Sequence, residues 1–221
     1  MQLQVYQDKP VEYIDDILLK DGEIQVLPSA VLSQINNIDL RLWCHGKGIY
    51  GVPSQELIEV IKTHLVENKS IEVGAGCGVF GKALGIPSTD SMIQNDPLVR
   101  AYYEALRQPI VEYGKHVIHL EASTAIDMFE PEVVFGSWVT QYVPPEKSEE
   151  LYGQGSEYGL KESEFLPKIK KYIVYGNDAI HGHKQVLNDT KYKVERVYNG
   201  VDFFSRASKP ELNCLYVITH A

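Results

Sequence analysis

Cysteine is scarce in this chain, and the three present, Cys44, Cys77 and Cys214, stand far apart with no C-x-x-C pair among them. Such spacing supports neither a disulfide framework nor a cysteine-based zinc site, so no bound metal is expected and the expected setting is a reducing cytoplasm. Long apolar runs are missing as well, which excludes a membrane-spanning helix as an expectation. The opening stretch MQLQVYQDKPVEYIDD has neither a basic start nor an apolar centre, so no secretion signal is read there. Positive charge is also short: 21 lysines and arginines face 30 acids, for a net charge of −9. That balance counts against bulk affinity for nucleic acid, which needs cations to displace counterions. Charge is uneven, with seven bases against three acids over 168–196 and six acids against two bases over 146–164. Solvated faces are the expected reading of both stretches. No internal repeat and no low-complexity tract is visible.

What remains is an ordinary globular composition, 44% apolar and 23% charged over 221 residues. That length suits one α/β domain, 53–221, preceded by an extension, 1–52. The extension mixes short apolar runs with turn signals such as KDGE and NNID, and is expected to form small strands and turns. PSQELIEVIKTHLVEN reads as a helix, with Pro53 and Ser54 at its start and Leu57, Ile58, Ile61, Leu65 and Val66 on one face. SIEV is a short strand, VFGKAL a helix, and DPLVRAYYEAL a second helix with Asp96 as cap and Pro97 at its first position. KHVIHLEA alternates as a strand, while PEVVFGSWV and KKYIVYGN are the continuous apolar runs of central parallel strands. YKVERVYNGVDFF and LNCLYVITHA are two strands separated by a turn-rich SRASKPE. Together these predict a doubly wound, mostly parallel α/β sheet with an antiparallel C-terminal edge strand.

The stretch IEVGAGCGVFGKALGI, 71–86, supports two readings. From Gly76 it spells G-x-G-x-x-G with Gly78 and Gly81, the dinucleotide fingerprint. From Glu72 it spells E-x-G-x-G-x-G with Gly74, Gly76 and Gly78. The dinucleotide reading wants an apolar strand before the first glycine, where Glu72 and Gly74 intrude, and an acid about 20 residues on for the ribose. Asp90 comes 14 residues after Gly76, so that reading fits poorly.

In the second reading Glu72 lies at the strand tip, where a carboxylate can face a cationic ligand, and the glycines bring bare backbone against it. Here the sequence resembles the class I (Rossmann-like) S-adenosylmethionine-dependent methyltransferases over roughly 53–221. Glu72, Gly74, Gly76 and Gly78 match their first motif, with Ala75 inside it. The resemblance implies S-adenosylmethionine as cofactor, Asp90 as the acid for the ribose hydroxyls, and Glu121 with Ala122 near the adenine. Gly78 and Asp90 are only 12 residues apart, so the intervening helix must be short. GIPSTDSM and VVFGSWVTQY further resemble uncharacterised phage and bacterial methyltransferase-like proteins.

Ligands of open α/β sheets sit beyond the carboxyl ends of the strands. GSWVTQY follows the fourth strand, so Ser137, Trp138, Thr140 and Tyr142 are candidates for the acceptor pocket, with Ser137 and Trp138 as candidate catalytic residues. The D/N/S-P-P-Y/F/W motif of the resembled amino-methylating nucleic-acid enzymes is not met, because Pro144 and Pro145 lie downstream. After the fifth strand, His181 is a candidate acid/base beside His183. Trp43, His45 and Tyr50 of the extension could cover the cofactor, and 142–165, with Tyr152 and Tyr158, could form a closing lid. The function expected is methyl transfer to a small molecule or protein. The alternatives are a non-catalytic cofactor-binding protein and a nucleic-acid methyltransferase using the basic 168–196 stretch. No membrane partner is expected.

Overall fold

The computed structural model describes residues 10–147, 154–198 and 202–221. Its centre is a seven-stranded sheet of β4 (Ser70–Val73), β5 (Ser88–Asp90), β6 (Ile118–His119), β7 (Val133–Ser137), β8 (Lys171–Asn177), β9 (Tyr192–Tyr198) and β11 (Asn213–His220). In space the order is β6-β5-β4-β7-β8-β11-β9. The first five are parallel; β11 runs antiparallel between β8 and β9, with Tyr216 opposite both Val174 and Arg196. This is a doubly wound α/β fold, consistent with the class I methyltransferase-like arrangement expected from the sequence. The expected antiparallel C-terminal strand is β11, but it lies one place in from the edge, which is formed by β9.

Alternation along the strands explains the two covered faces. Val134, Tyr172, Val174, Cys214, Tyr216 and Ile218 point to one side, against Ala125 and Ile126 of α7 (Ala122–Phe129) and Phe165 of α8 (Glu162–Phe165). Val133, Phe135, Ile173, Tyr175, Leu215 and Val217 point to the other, against α4 (Gln55–Lys62) and α5 (Val79–Leu84). Ser54 caps α4 by accepting from Leu57 N. The helix stops at Lys62, short of the predicted face: Leu65 still packs on the core, but Val66 is exposed.

The extension departs from its expected strands and turns. It holds α1 (Tyr13–Leu18), α2 (Ser29–Leu32) and α3 (Asn37–Gly46), with only a two-residue hairpin of β1 (Leu19–Lys20) and β2 (Glu23–Ile24). Asn36 caps α3, and Leu40, Trp43 and Cys44 recur at helical spacing to bury one side of it. These residues form a separate apolar cluster that also takes in Val52 and Phe204. The two come from β3 (Gly51–Val52) and β10 (Phe204–Ser205), which pair antiparallel and join the extension to the C-terminal part of the chain.

Between β4 and β5 the chain has room for only six helical residues, α5, bounded by left-handed Gly78 and Gly85. This short crossover delivers Asp90 to the tip of β5. Among the described residues, no helix is long and apolar enough to cross a membrane.

Candidate functional site

A cavity of about 480 Å³ opens where β4, β5 and β7 end. Its floor is the glycine turn, where Gly74, Gly76 and Gly78 all have positive φ, although Gly78, expected to bind the cofactor, does not line the cavity and packs against His116 and Val117. The turn is closed on itself. Ala75 N donates to Thr89 O (3.1 Å), Gly78 N to Ala75 O (2.8 Å) and Gly76 N to Asp90 Oδ2 (2.9 Å). Three of its backbone donors are therefore spent inside the protein.

Asp90 lines the cavity from the tip of β5. Its second oxygen accepts from Met92 N at 2.7 Å, so the carboxylate staples the two loops together while its remaining lone pairs stay open. Burial raises its pKa above the usual carboxylate value, against the lowering effect of those N–H bonds. Glu121 and Ala122 stand opposite, at the start of α7, where Glu121 caps the helix by accepting from Ser123 N. The structure thus brings Gly74, Ala75, Gly76, Asp90, Glu121 and Ala122 to one cavity.

Glu72 is not one of its walls. The side chain is fully buried beneath the turn, where Oε2 accepts from Gly81 N and Ser88 Oγ, both at 2.8 Å. Burial pushes its pKa up to about 7. Glu72 lies at the end of β4 as expected, but its carboxylate does not face a ligand; that expectation is corrected, and Glu72 supports the turn from behind. It can do so because Gly81 has no side chain; a Cβ there would collide with Ser88 Oγ and stand 2.5 Å from Glu72 Oε2.

At the end of β7 and just past it, Ser137, Trp138 and Thr140 reach the cavity and Tyr142 does not. Trp138 has φ +58°, a left-handed conformation costly for so bulky a residue. The turn is held from both sides: Trp138 N donates to Tyr175 O (2.8 Å), and Lys184 Nζ donates to Val139 O (3.1 Å). Lys184, itself buried, also pairs with buried Glu162 at 2.7 Å, and Glu162 Oε1 accepts from Tyr172 OH at 3.0 Å.

His181 is corrected as well. It lies at the end of α9 (Asp178–His181), does not line the cavity, and meets Trp138 edge-on with ring centroids 5.2 Å apart. Nδ1 accepts from Asn177 N at 3.0 Å, and burial followed by the Lys184 charge lowers its pKa to about 3. A neutral imidazole behind the indole is no acid/base for the cavity. His183 Nε2 lies 2.7 Å from Gln154 O. No group of three or more His, Cys, Asp or Glu suited to a metal occurs among the described residues.

Two further walls are contributed by segments with little local signal. One runs from the 3-10 turn Ile93–Asn95 through α6 (Pro97–Ala105) to Tyr113 and doubles back over the glycine turn. Gln94 fixes it, accepting from Val111 N (2.8 Å) while its own N–H reaches Tyr113 OH (3.2 Å). Val111 sits so close that a Cβ on Gly76 would lie 3.2 Å from its Cγ1. The other wall is 156–161, tied to the post-β7 chain by Tyr142 N to Leu160 O and Leu160 N to Thr140 O, both 2.8 Å. It carries Tyr158 into the cavity lining; Tyr152 lies outside the described residues. Of the extension's three candidates, Tyr50 lines the cavity, Trp43 is buried with Nε1 donating to Asp15 Oδ1 (2.6 Å), and His45 is exposed.

The basic stretch is largely engaged elsewhere. Lys168, Lys170, Lys184 and Arg196 each face a carboxylate, Asp127, Glu132, Glu162 and Asp178 respectively.

No protein-family model and no curated protein sequence matches the chain. Among solved structures, it is similar to the Pyrococcus abyssi tRNA (uracil-54, C5)-methyltransferase in complex with S-adenosyl-L-homocysteine, with a TM-score of 0.36 and 14% identity. That alignment covers 75% of this chain and 37% of the other, so the chain spans well under half of that enzyme's length. It is also similar to an uncharacterized protein from Listeria monocytogenes serotype 4b, with a TM-score of 0.34 and 10% identity over 76% of this chain and 68% of the other. The fold described above stands on the strand order, not on these likenesses.

Proposed function

We propose that the chain binds S-adenosylmethionine in this cavity and catalyses methyl transfer to a small molecule. The observation that carries the reading is that three backbone donors of the glycine turn are spent inside the protein. A pyrophosphate needs free backbone N–H groups at the start of a substantial helix. Here Ala75, Gly76 and Gly78 donate within the protein, and α5 has six residues. A ligand without phosphate, carrying a diol, a base and a cationic chain, suits such walls better. Asp90 would hold the ribose hydroxyls, Glu121 and Ala122 would border the adenine, and Gly74 to Gly76 would lie against the amino-acid portion. When bound, the sulfonium supplies an activated methyl carbon. The contribution of Ser137, Trp138 and Thr140 is to position an acceptor beside it and exclude water, a proximity effect.

A non-catalytic binder is the second reading, favoured by one observation: the only histidine suspected of acid/base work, His181, is secluded behind Trp138.

Calorimetric titration with S-adenosylhomocysteine tests the cofactor assignment. Binding by the wild type is expected, weakened about tenfold to a hundredfold in Asp90→Ala, since charge-assisted bonds to hydroxyls are worth ~1.5–3 kcal/mol each and water replaces part of the loss. Wild-type affinity in a folded Asp90→Ala protein would remove Asp90 from the site. Release of labelled S-adenosylhomocysteine on incubation with small-metabolite pools separates the enzyme from the binder.

A further inference from the structure

Beyond the groups assigned to the cofactor, the cavity is walled largely by rings. Tyr103 and Tyr158 line it with centroids 6.5 Å apart and planes 39° from each other, and Trp138 lines it too. The tyrosine pair is pre-built: Tyr102 packs edge-on against both, at 5.7 and 5.9 Å. Tyr50 also lines the cavity, but the Arg206 guanidinium already lies 3.7 Å from its ring centroid, so its π-face is engaged.

Among the described residues, and apart from Asp90 and Glu121 already assigned to the cofactor, the charged groups lining the cavity are Glu157 and Glu164 against Lys161. Even Lys161 is occupied, 3.6 Å from Glu164 and 5.3 Å above the Tyr142 ring. Aromatic faces joined to an acidic lining are what an organic cation requires. An anionic ligand would meet repulsion there.

The cavity also lacks a strong base. None of its lining residues is a histidine, among the described residues. Its phenols Tyr103 and Tyr113 are held neutral, with burial raising both and pushing Tyr113 to about 12. A hydroxyl acceptor would need a base to become nucleophilic, whereas an amine brings its own lone pair.

On the methyltransferase reading, on which this rests, we propose that the acceptor is a small amine, recognised as its cation by the faces of Tyr103, Tyr158 and Trp138 and by the Glu157 carboxylate. A primary or secondary ammonium first yields a proton to water. The amine lone pair then forms the new C–N bond as the C–S bond breaks, and the electrons of that bond stay on sulfur. A tertiary ammonium loses its proton in the same way and leaves as a quaternary cation.

Choline and its uncharged carbon isostere, 3,3-dimethylbutan-1-ol, test the cation site without turnover. Each is titrated calorimetrically into the full chain, alone and saturated with S-adenosylhomocysteine. Choline is expected to bind about tenfold more tightly than the isostere, a preference retained in Tyr158→Phe and lost in Tyr158→Leu. Equal binding of the two probes, or no choline binding by a protein that does bind S-adenosylhomocysteine, overturns the amine assignment. A choline preference in a protein that does not bind S-adenosylhomocysteine keeps the cation site and overturns methyl transfer instead.

Discussion

Glu72 and Gly81 share one small volume: Glu72 Oε2 accepts from Gly81 N at 2.8 Å, in space that a Cβ on Gly81 would fill. The two residues that divided the competing sequence readings therefore belong to one structural device. Gly81 is required to admit a buried carboxylate, not to let a helix approach a pyrophosphate.

Gly81→Ala is accordingly expected to destabilise the fold. Overpacking of this kind costs ~1–3 kcal/mol, and here it also disturbs the Glu72–Ser88 hydrogen bond. Urea denaturation measures it. Stability within about 0.5 kcal/mol of the wild type, the range of an ordinary surface change, would mean that the volume is not shared.

Glu72 also gives the protein a pH signature. Its unfolded pKa is about 4.5 and its folded pKa about 7, so between these values the folded state holds a proton that the unfolded state has lost. Rising pH therefore weakens the wild type through this window and has no further effect through Glu72 above it. At ~1.4 kcal/mol per pH unit, the contribution is roughly 2–4 kcal/mol. Glu72→Gln keeps an oxygen for Gly81 and Ser88 but cannot ionise. The stability difference between Glu72→Gln and wild type is expected to shift by that amount in favour of the variant from pH 4.5 to pH 8. A pH-independent difference would place the carboxylate in solvent.

Lys184 and Glu162 form the buried pair that steadies the Trp138–Val139 turn. Removing one partner strands the other, so Lys184→Met is expected to cost ~3–5 kcal/mol. In Lys184→Met/Glu162→Leu much of that loss should return, because no charge is left unpaired. Thermal or urea unfolding of both variants decides this; additive losses would show that the two do not act as a pair.

These placements mark what was legible in the sequence. Asp90 was readable at a strand tip because SIEV, the glycines and STD are consecutive elements, and the 12-residue spacing already demanded the short helix found as α5. The direction of Glu72 was not readable, since it depends on which face of β4 turns toward the loop and on the gap left by Gly81 nine residues later. His181 was placed at the correct strand end, but its seclusion follows from packing on Trp138, 43 residues earlier. Tyr103, Val111 and Tyr113 carried no local signal as site residues. They reach the cavity because the chain between β5 and β6 folds back over the glycine turn, held by Gln94. The basic run looked like one patch because Asp127, Glu132 and Glu162, which neutralise Lys168, Lys170 and Lys184, lie outside it in the sequence.

The central claim is that the glycine turn faces a phosphate-free adenosyl cofactor. Melting curves of the full chain with S-adenosylhomocysteine and, separately, with NADH test it most directly, because a ligand that binds only the folded state raises the melting temperature by mass action. S-adenosylhomocysteine is expected to raise it in a concentration-dependent way and NADH to leave it unchanged. Stabilisation by NADH without stabilisation by S-adenosylhomocysteine would contradict the account.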